Sequence, residues 1–445
     1  MGRGALAMIA ALAGCSFHHG AGAGDGGGDD APGDAIRDAM PLANACPPLA
    51  TAPTAVMVST VAALRSAIAT ASPGTTIELA DGSYALDSGL AIATDGITLR
   101  SQSGHASEVV LDGGGTVSPI IGIAASGVTL TSLTIAHGGA SAVDLEPTGT
   151  ADLTDDTIYD VTFDDDVGPG VQIRPEDGDP TEGPFVDSGL IACSRFVDTT
   201  AVDHCTVPDQ LAIHGIGVRG WTIRNNTFDH VTCPTTFKRT IWMRGGSRDT
   251  QLIDNHFLDS AMNIMLGDDL GLPARVYPDA LPVECSDEDD NLPQHWGGVV
   301  CNNTIAGLDL PPISGEPETF EEGIALWSAC DPWVLHNTIV TPSGTGTFHD
   351  IEFRYDDTFA HLVNNLVEQL PAARDSGVED PAYAASDVVY AGATDFVDPH
   401  GGNLHLAATA PESSGASIQG LELCESDADG IARPLDAPTV GAYQR

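Results

Sequence analysis

Five asparagines in phase constrain this chain more than any other feature. Asn226, Asn255, Asn303, Asn337 and Asn365 each close a short β-rich run, and an apolar residue follows two positions later, as in Asn226-Thr227-Phe228 and Asn337-Thr338-Ile339. They follow one another by 29, 48, 34 and 28 residues. A spacing of a few tens of residues that stretches at one place in each copy is the mark of a solenoid with variable loops. Asp156-Thr157-Ile158 and Ser194-Arg195-Phe196 read as degenerate earlier copies. A tight turn between strands needs a residue tolerant of left-handed backbone angles, which Asn is. Stacked coils then bring such amides about 4.8 Å apart, within bonding reach of one another. The expectation is an all-β chain wound as a single-stranded right-handed parallel β-helix over residues 56–445. A propeller would want evenly sized blades, and an antiparallel sandwich would not repeat Asn in phase. Long helices are excluded by 50 Gly, 29 Pro and period-two patterning throughout.

The two ends of the solenoid are legible as well. Val61, Leu64, Ile68 and Ala71 share one helical face after a capping Ser59 or Thr60, and Pro73-Gly74 stops the helix. Such a short N-terminal helical cap would cover the open end of the strand stack. At the other end, the Asp-rich stretch 425–429 lacks EF-hand spacing and reads as a solvated loop, although it is also where Ca2+ could be held. No cofactor motif is present elsewhere, and Ca2+ is the one cofactor that the acidic composition suggests.

Residues 1–15 carry one positive charge, Arg3, and an apolar run from Ala5 to Leu12, too short to span a bilayer. The run ends Leu12-Ala13-Gly14-Cys15 and resembles the bacterial lipobox, in which the cysteine takes the lipid. The resemblance implies lipidation at Cys15, with Ser16 at the next position directing the product to the outer membrane. Residues 16–55 are Gly, Ala, Asp and Pro with little to bury, and read as a disordered tether. Giving Cys15 to lipid leaves eight of nine cysteines, an even number in keeping with disulfides in an oxidising compartment; their pairing stays open. With 63 acidic against 17 basic residues the net charge is −46, which argues against a nucleic-acid partner. The membrane is expected to be met through the lipid anchor alone.

The last strand of each coil is flanked by the longest loops and so is the natural wall of a groove. Alternation along these strands turns Ile173, Ile213, Met243, Ile264, Leu326 and Phe353 inward. Outward go Gln172, Arg174, His214, Trp242, Arg244, Asn263, Trp327, Glu352 and Arg354. Arginine forks match carboxylate and sulfate, and indole faces stack on sugar rings. One reading is therefore a groove for an acidic polysaccharide, with Arg174, Trp242, Trp327, Glu352 and Arg354 as contacts. The other is that these arginines pair with their own acidic neighbours and the tryptophans pack under loops.

Two family resemblances bear on this. The Val61–Tyr84 region resembles the start of the alginate and chondroitin B lyase family, and Arg244-Gly245-Gly246-Ser247-Arg248 resembles that family's Arg-His-Gly-Asn-Arg run. The resemblance implies a pectate-lyase-like solenoid, Arg244 as catalytic acid or its assistant and Arg248 as a binding residue. The family's lysine base aligns with Gly217 and is absent, so His214 or Lys238 would have to stand in. Runs such as Gly220-Trp221-Thr222-Ile223-Arg224-Asn225-Asn226 and Gly323-Ile324-Ala325-Leu326-Trp327 resemble a group of exported β-helix repeat proteins of Gram-negative bacteria, which carries no activity over. The expected protein is a cell-surface lipoprotein that binds an acidic polysaccharide and, if it is an enzyme, cleaves it by β-elimination. The alternative is a non-catalytic adhesin or envelope structural protein. A hydrolase with paired acids is a third reading, set aside because Glu352 has no partner visible in the sequence.

Overall fold

A computed structural model describes residues 46–444 apart from 53, 166–167, 199–209, 234–236, 286–290, 314, 343–345 and 412. Among the described residues nearly all strands fall into a parallel sheet of ten and a folded sheet of 23, to both of which the turns of the chain contribute. Two strand pairs stand apart, Leu153–Thr154 with Val186–Asp187 and the antiparallel Phe396–Asp398 with Asn403–Leu406. The chain is a right-handed parallel β-helix, as its asparagines predict. The ten-stranded sheet runs from Leu90–Ile92 to Ala372–Arg374, with every neighbour parallel. The larger sheet bends round a corner; the strand Thr157–Asp164 pairs with Leu190–Ala192 before the corner and Arg195–Val197 after it.

The asparagine ladder sits at that corner. Asn226 donates through Nδ2 to Asn255 Oδ1 at 3.0 Å, Asn255 to Asn303 at 3.0 Å, Asn303 to Asn337 and Asn337 to Asn365 at 2.9 Å. Each Oδ1 also accepts the backbone N–H of the preceding rung, and each amide donates to a carbonyl, such as Leu252 O for Asn303. Enclosed amides are costly unless bonded, and here these bonds run along the solenoid axis. The left-handed angle belongs to the residue before each rung, at Asn225, Asp254, Asn302, His336 and Asn364, not to the ladder residue itself. Ser194 is the rung before Asn226. Asp156 is not a rung: it lies at the start of its strand and accepts Val128 N, while Val161 occupies the ladder position and donates to Ser194 Oγ.

Under the ladder, Phe163, Phe196, Phe228 and Phe257 stack with ring centroids 4.6, 4.9 and 4.7 Å apart. Trp221 is sealed in the same core and donates to Val186 O at 3.0 Å. Gly189 lies over its ring, and any Cβ there would come within 2.2 Å of it.

The helix Val61–Thr70 caps the N-terminal end with Leu64 and Ile68 buried, and Thr60 accepts Ala63 N as its cap. A strand, Val56–Val58, precedes it and joins the sheet beside Thr76–Leu79. The last residues assigned to the tether are fastened to the solenoid, through the disulfide Cys46–Cys193 and Tyr159 Oη on Pro47 O at 2.6 Å. Cys285–Cys330 and Cys301–Cys424 are also bonded, in keeping with an exported protein.

After the last coil the chain folds back along the flank of the larger sheet. Tyr390, Phe396, Leu404, Val440 and Tyr443 pack on Ala306, Val340 and Leu366, and Ile418 and Leu423 on Val299, Leu335 and Val363. Arg433 is buried and donates to Asn302 Oδ1 and to the carbonyls of Thr439, Gly441 and Ala442. Within the 425–429 stretch Glu425 and Asp429 are exposed, as a solvated loop requires, but Asp427 is fully enclosed and accepts the N–H groups of Asp429, Ile431 and Gln444. The oxygens of Asp427 are turned to backbone donors, which does not suit a calcium ligand.

Candidate functional site

With one flank covered, the outer face of the ten-stranded sheet carries the predicted residues. Asp144, Gln172, His214, Trp242, Met265, Ala325 and Glu352 form one row, each the lateral partner of the next. Gly267, Trp327, Arg354 and Arg374 form a second, with Ile216 and Arg244 paired further up and Arg174 at the head. A third row, Arg239, Met262, Glu322 and His349, also looks outward. Met262 shows this by packing in one cluster with Trp242, Met265 and Ala325. Strict alternation would have turned this row in; an irregularity before Ile241 and its counterparts turns it out, and turns Asn263 inward. Asn263 is fully buried and donates to Ser260 O.

His214 and Arg244 do meet. Arg244 Nε lies 3.1 Å from His214 Nε2. Guanidinium only donates, so Nε2 is the accepting nitrogen, Nδ1 carries the proton, and Gln172 must present Oε1 to it at 3.1 Å. Burial first, and then Arg244, Arg239 and Arg174, hold the His214 pKa well below the usual imidazole range. The imidazole is neutral, but its lone pair is engaged by Arg244. Arg244 in turn faces Asp268 at 3.5 Å.

Trp242 is not an open platform for a sugar. Its ring stacks on His214 at 4.9 Å, has Arg239 and Arg244 at 4.2 and 4.5 Å, and is 6% exposed. Its Nε1 donates to Gly267 O, and Gly267 lies so flat against the next coil that a Cβ would meet Trp327 O at 1.7 Å. Lys238 is enclosed, at 2% exposure. Arg248 belongs to another wall of the solenoid, stacked on Trp296 at 3.9 Å and paired with Asp249 and Asp279.

A second group gathers four coils from His214, about 19 Å away at the usual strand spacing. Glu352 Oε1 accepts Trp327 Nε1 at 2.9 Å and has Arg374 Nη1 at 3.6 Å; Oε2 has His349 Nδ1 at 2.9 Å. Arg354 lies 4.8 and 4.4 Å over the rings of Trp327 and Tyr355 and pairs with Asp375 at 2.6 Å and Asp269 at 4.0 Å. Arg174 is bound by Asp144 and Glu146 at 2.9 and 2.6 Å. The arginine partners differ in kind: those of Arg174 and Arg244 are largely buried, whereas Asp375 and Asp269 are 51% and 63% exposed.

Sequence reasoning missed two features. Glu352 does have acidic company, since Glu321 and Glu322 lie close enough for their charges to act on one another and on it. An open groove of about 520 Å³ also lies between the loops one step round the coil, lined by Asp152, Glu176, Phe185, Arg219, Arg275 and Tyr277. Long loops flagged its neighbourhood, but its side chains follow no repeat. Among the described residues no three His, Cys, Asp or Glu side chains are grouped as a metal site would need.

No family profile matches the sequence, and no curated protein matches it. Among solved structures the chain is similar to the pectate lyase Pel9A, with TM-score 0.48 and 14% identity over 85% of this chain and 90% of that one. It is similar also to the PL6 family alginate lyase AlyGC, with TM-score 0.37 and 13% identity over 88% and 60%. A PL6 family polysaccharide lyase from Pseudopedobacter saltans gives TM-score 0.36 and 10% identity over 80% and 97%. These are likenesses of fold.

Proposed function

We propose that this chain is an exported lipoprotein, anchored at Cys15, that binds an acidic polysaccharide along the outer face of the ten-stranded sheet. The observation that carries the reading is the row Trp327, Arg354, Arg374, with Tyr355 beside it. It places an indole edge and two guanidinium groups on successive coils, at a rung spacing of about 4.8 Å that is close to one pyranose of an extended chain. The partners of Arg354 are exposed, and exposed ion pairs contribute at most about 1 kcal/mol, so a uronate carboxylate can replace them at little cost. The more buried pairs of Arg174 and Arg244 hold the upper part of the face in shape. Cys15 lies outside the described residues, and its lipidation is tested by palmitate labelling of wild type against Cys15→Ser.

The binding test is retardation of the protein in gels containing polygalacturonate, alginate or chondroitin sulfate. Arg354→Ala should weaken retardation about 10-fold or more, and Arg248→Ala, on the other wall, should leave it unchanged. Failure of all three glycans to retard the wild-type protein would refute the reading.

β-Elimination is a second reading, favoured by the neutral His214 beside Arg244. The reaction needs a base for the proton next to the uronate carboxylate and a cation to neutralise that carboxylate. Arg244 would have to leave the imidazole and take the substrate for His214 to serve. Ultraviolet absorbance of unsaturated uronate, lost in His214→Ala, is the readout; a flat trace with all three glycans leaves binding alone.

A further inference from the structure

Glu322 is an anomaly on a binding face. It is fully enclosed, and neither carboxyl oxygen has a hydrogen-bond partner. A buried polar group without partners is costly, and natural proteins keep few of them without a reason. No metal cluster accounts for it among the described residues. It stands opposite His349 in the strand register, and His349 is the residue whose Nδ1 approaches Glu352. Glu322 is thus the lateral neighbour of the residue whose imidazole meets Glu352, close enough for the Glu352 charge to act on it, beside the row proposed to hold the glycan.

Their surroundings differ. Glu352 is arranged as an acceptor, with the Trp327 indole N–H on one oxygen and Arg374 nearby. Glu322 has nothing to accept from. Burial above all, then the charges of Glu321 and Glu352, push its pKa well above the usual carboxylic range, against the pull of Arg239 and Arg374. Burial first, with the charges of Glu316 and Glu352, pushes Glu321 to about 7 against the pull of Arg239 and Arg374. Two carboxyl groups with opposed surroundings supply a proton donor and a proton acceptor at one pH.

We infer that Glu322 and Glu352 form an acid–carboxylate pair that hydrolyses a glycosidic bond of the polysaccharide on this face. Glu322 gives its proton to the bridging oxygen, which leaves with the electron pair of the broken anomeric C–O bond. Water forms the new bond to the anomeric carbon and passes a proton to Glu352. One water is consumed, and a proton returning from Glu352 to Glu322 through solvent restores the pair. Both carboxyl groups are enclosed in this structure, and Arg374, whose side chain is 41% exposed and lies over the Phe348 ring at 5.4 Å, is the group that has to move to admit the glycan. A uronate carboxylate that draws Arg374 toward itself uncovers Glu352 as it binds.

The inference rests on the polysaccharide-binding reading, and the experiment separates the two. The protein is incubated with polygalacturonate, alginate and chondroitin sulfate, and reducing ends, ultraviolet absorbance and gel retardation are followed together. The expected result is reducing ends without new absorbance. Glu322→Gln and Glu352→Gln should each lower the rate roughly 100-fold or more while retardation is kept. Glu322→Gln removes an unpartnered buried acid, so its melting temperature should equal or exceed that of wild type. Retardation without reducing ends overturns the hydrolytic pair and leaves binding standing. So does release that Glu322→Gln does not slow, or release that appears with unsaturated uronate. No retardation by any of the three overturns both.

Discussion

Replacing Asp350 by Asn should make this protein more stable at pH 8 and barely change it at pH 4. Asp350 is 1% exposed on the strand Thr347–Arg354. Its Oδ1 accepts Thr341 Oγ1 at 3.0 Å, and Oδ2 accepts the N–H groups of Glu368 and Gln369 at 2.5 and 2.9 Å. Burial outweighs these donors and raises its pKa from 3.8 to about 7. An acid whose folded value is raised binds its proton more tightly in the folded state, so stability falls as pH rises between the two values. The penalty is absent below about 3.8 and complete above about 7. The gap corresponds to about 4 kcal/mol at 1.36 kcal/mol per pH unit. Asn keeps the geometry, with Oδ1 toward the two backbone donors and Nδ2 donating to Thr341, whose hydroxyl reverses its role. Urea unfolding at pH 4, 6 and 8 measures the effect as the difference in midpoint stability. Parallel pH curves for wild type and Asp350→Asn would show that this carboxyl is not a buried charge waiting to form, and would refute the reasoning.

Other outcomes follow from the same contacts. Asn303→Ala removes the middle rung and strands the Asn255 backbone N–H and its Nδ2, while Asn337 Oδ1 keeps the backbone N–H of residue 303, so unfolding free energy should drop by about 2–4 kcal/mol; a thermal melt shifted by less than a degree would count against the ladder. Cys424→Ser opens a closure of 123 residues and should cost about 4–5 kcal/mol by chain entropy, with protease cleavage appearing between residues 390 and 443. Gly267→Ala drives a methyl into Trp327 O and should weaken both glycan retardation and stability, read by gel and melt together. Binding through Arg354 should weaken as salt is raised, because its ion pairs are exposed; salt-independent retardation would assign the contact to the aromatic rings alone.

The ladder was legible because identical side chains recur where the backbone recurs, and the inward rows were legible because Ile213, Ile264 and Leu326 obey alternation. Asp156-Thr157-Ile158 misled because the triplet has the right chemistry in the wrong corner: the true rung, Val161, has no polar side chain to announce it. The left-handed position was read one residue late, since both residues of Asn225-Asn226 and Asn302-Asn303 are asparagine and either suits the turn. The site was less legible. His214 with Arg244, and Trp327 with Glu352, lie on rows that alternation finds. Glu322 is hidden by a local irregularity that shifts one outward position per strand, and period-two counting cannot register it. The enclosure of Trp242 depends on Arg239 reaching over from the shifted row, so it too was invisible.

The returning C-terminal segment has a consequence for how such a chain can change over time. Within a dozen residues it touches successive turns at fixed places: Arg433 at Asn302, Ala442 at Thr338 and Gly441 at Asn364. It works as a vernier laid along the solenoid. A turn inserted between Asn302 and Asn364 would shift every mark by one division and leave Arg433 or Gly441 facing nothing. Turns nearer the helix Val61–Thr70 meet no such gauge from this segment, so gain and loss of length should be confined to that half.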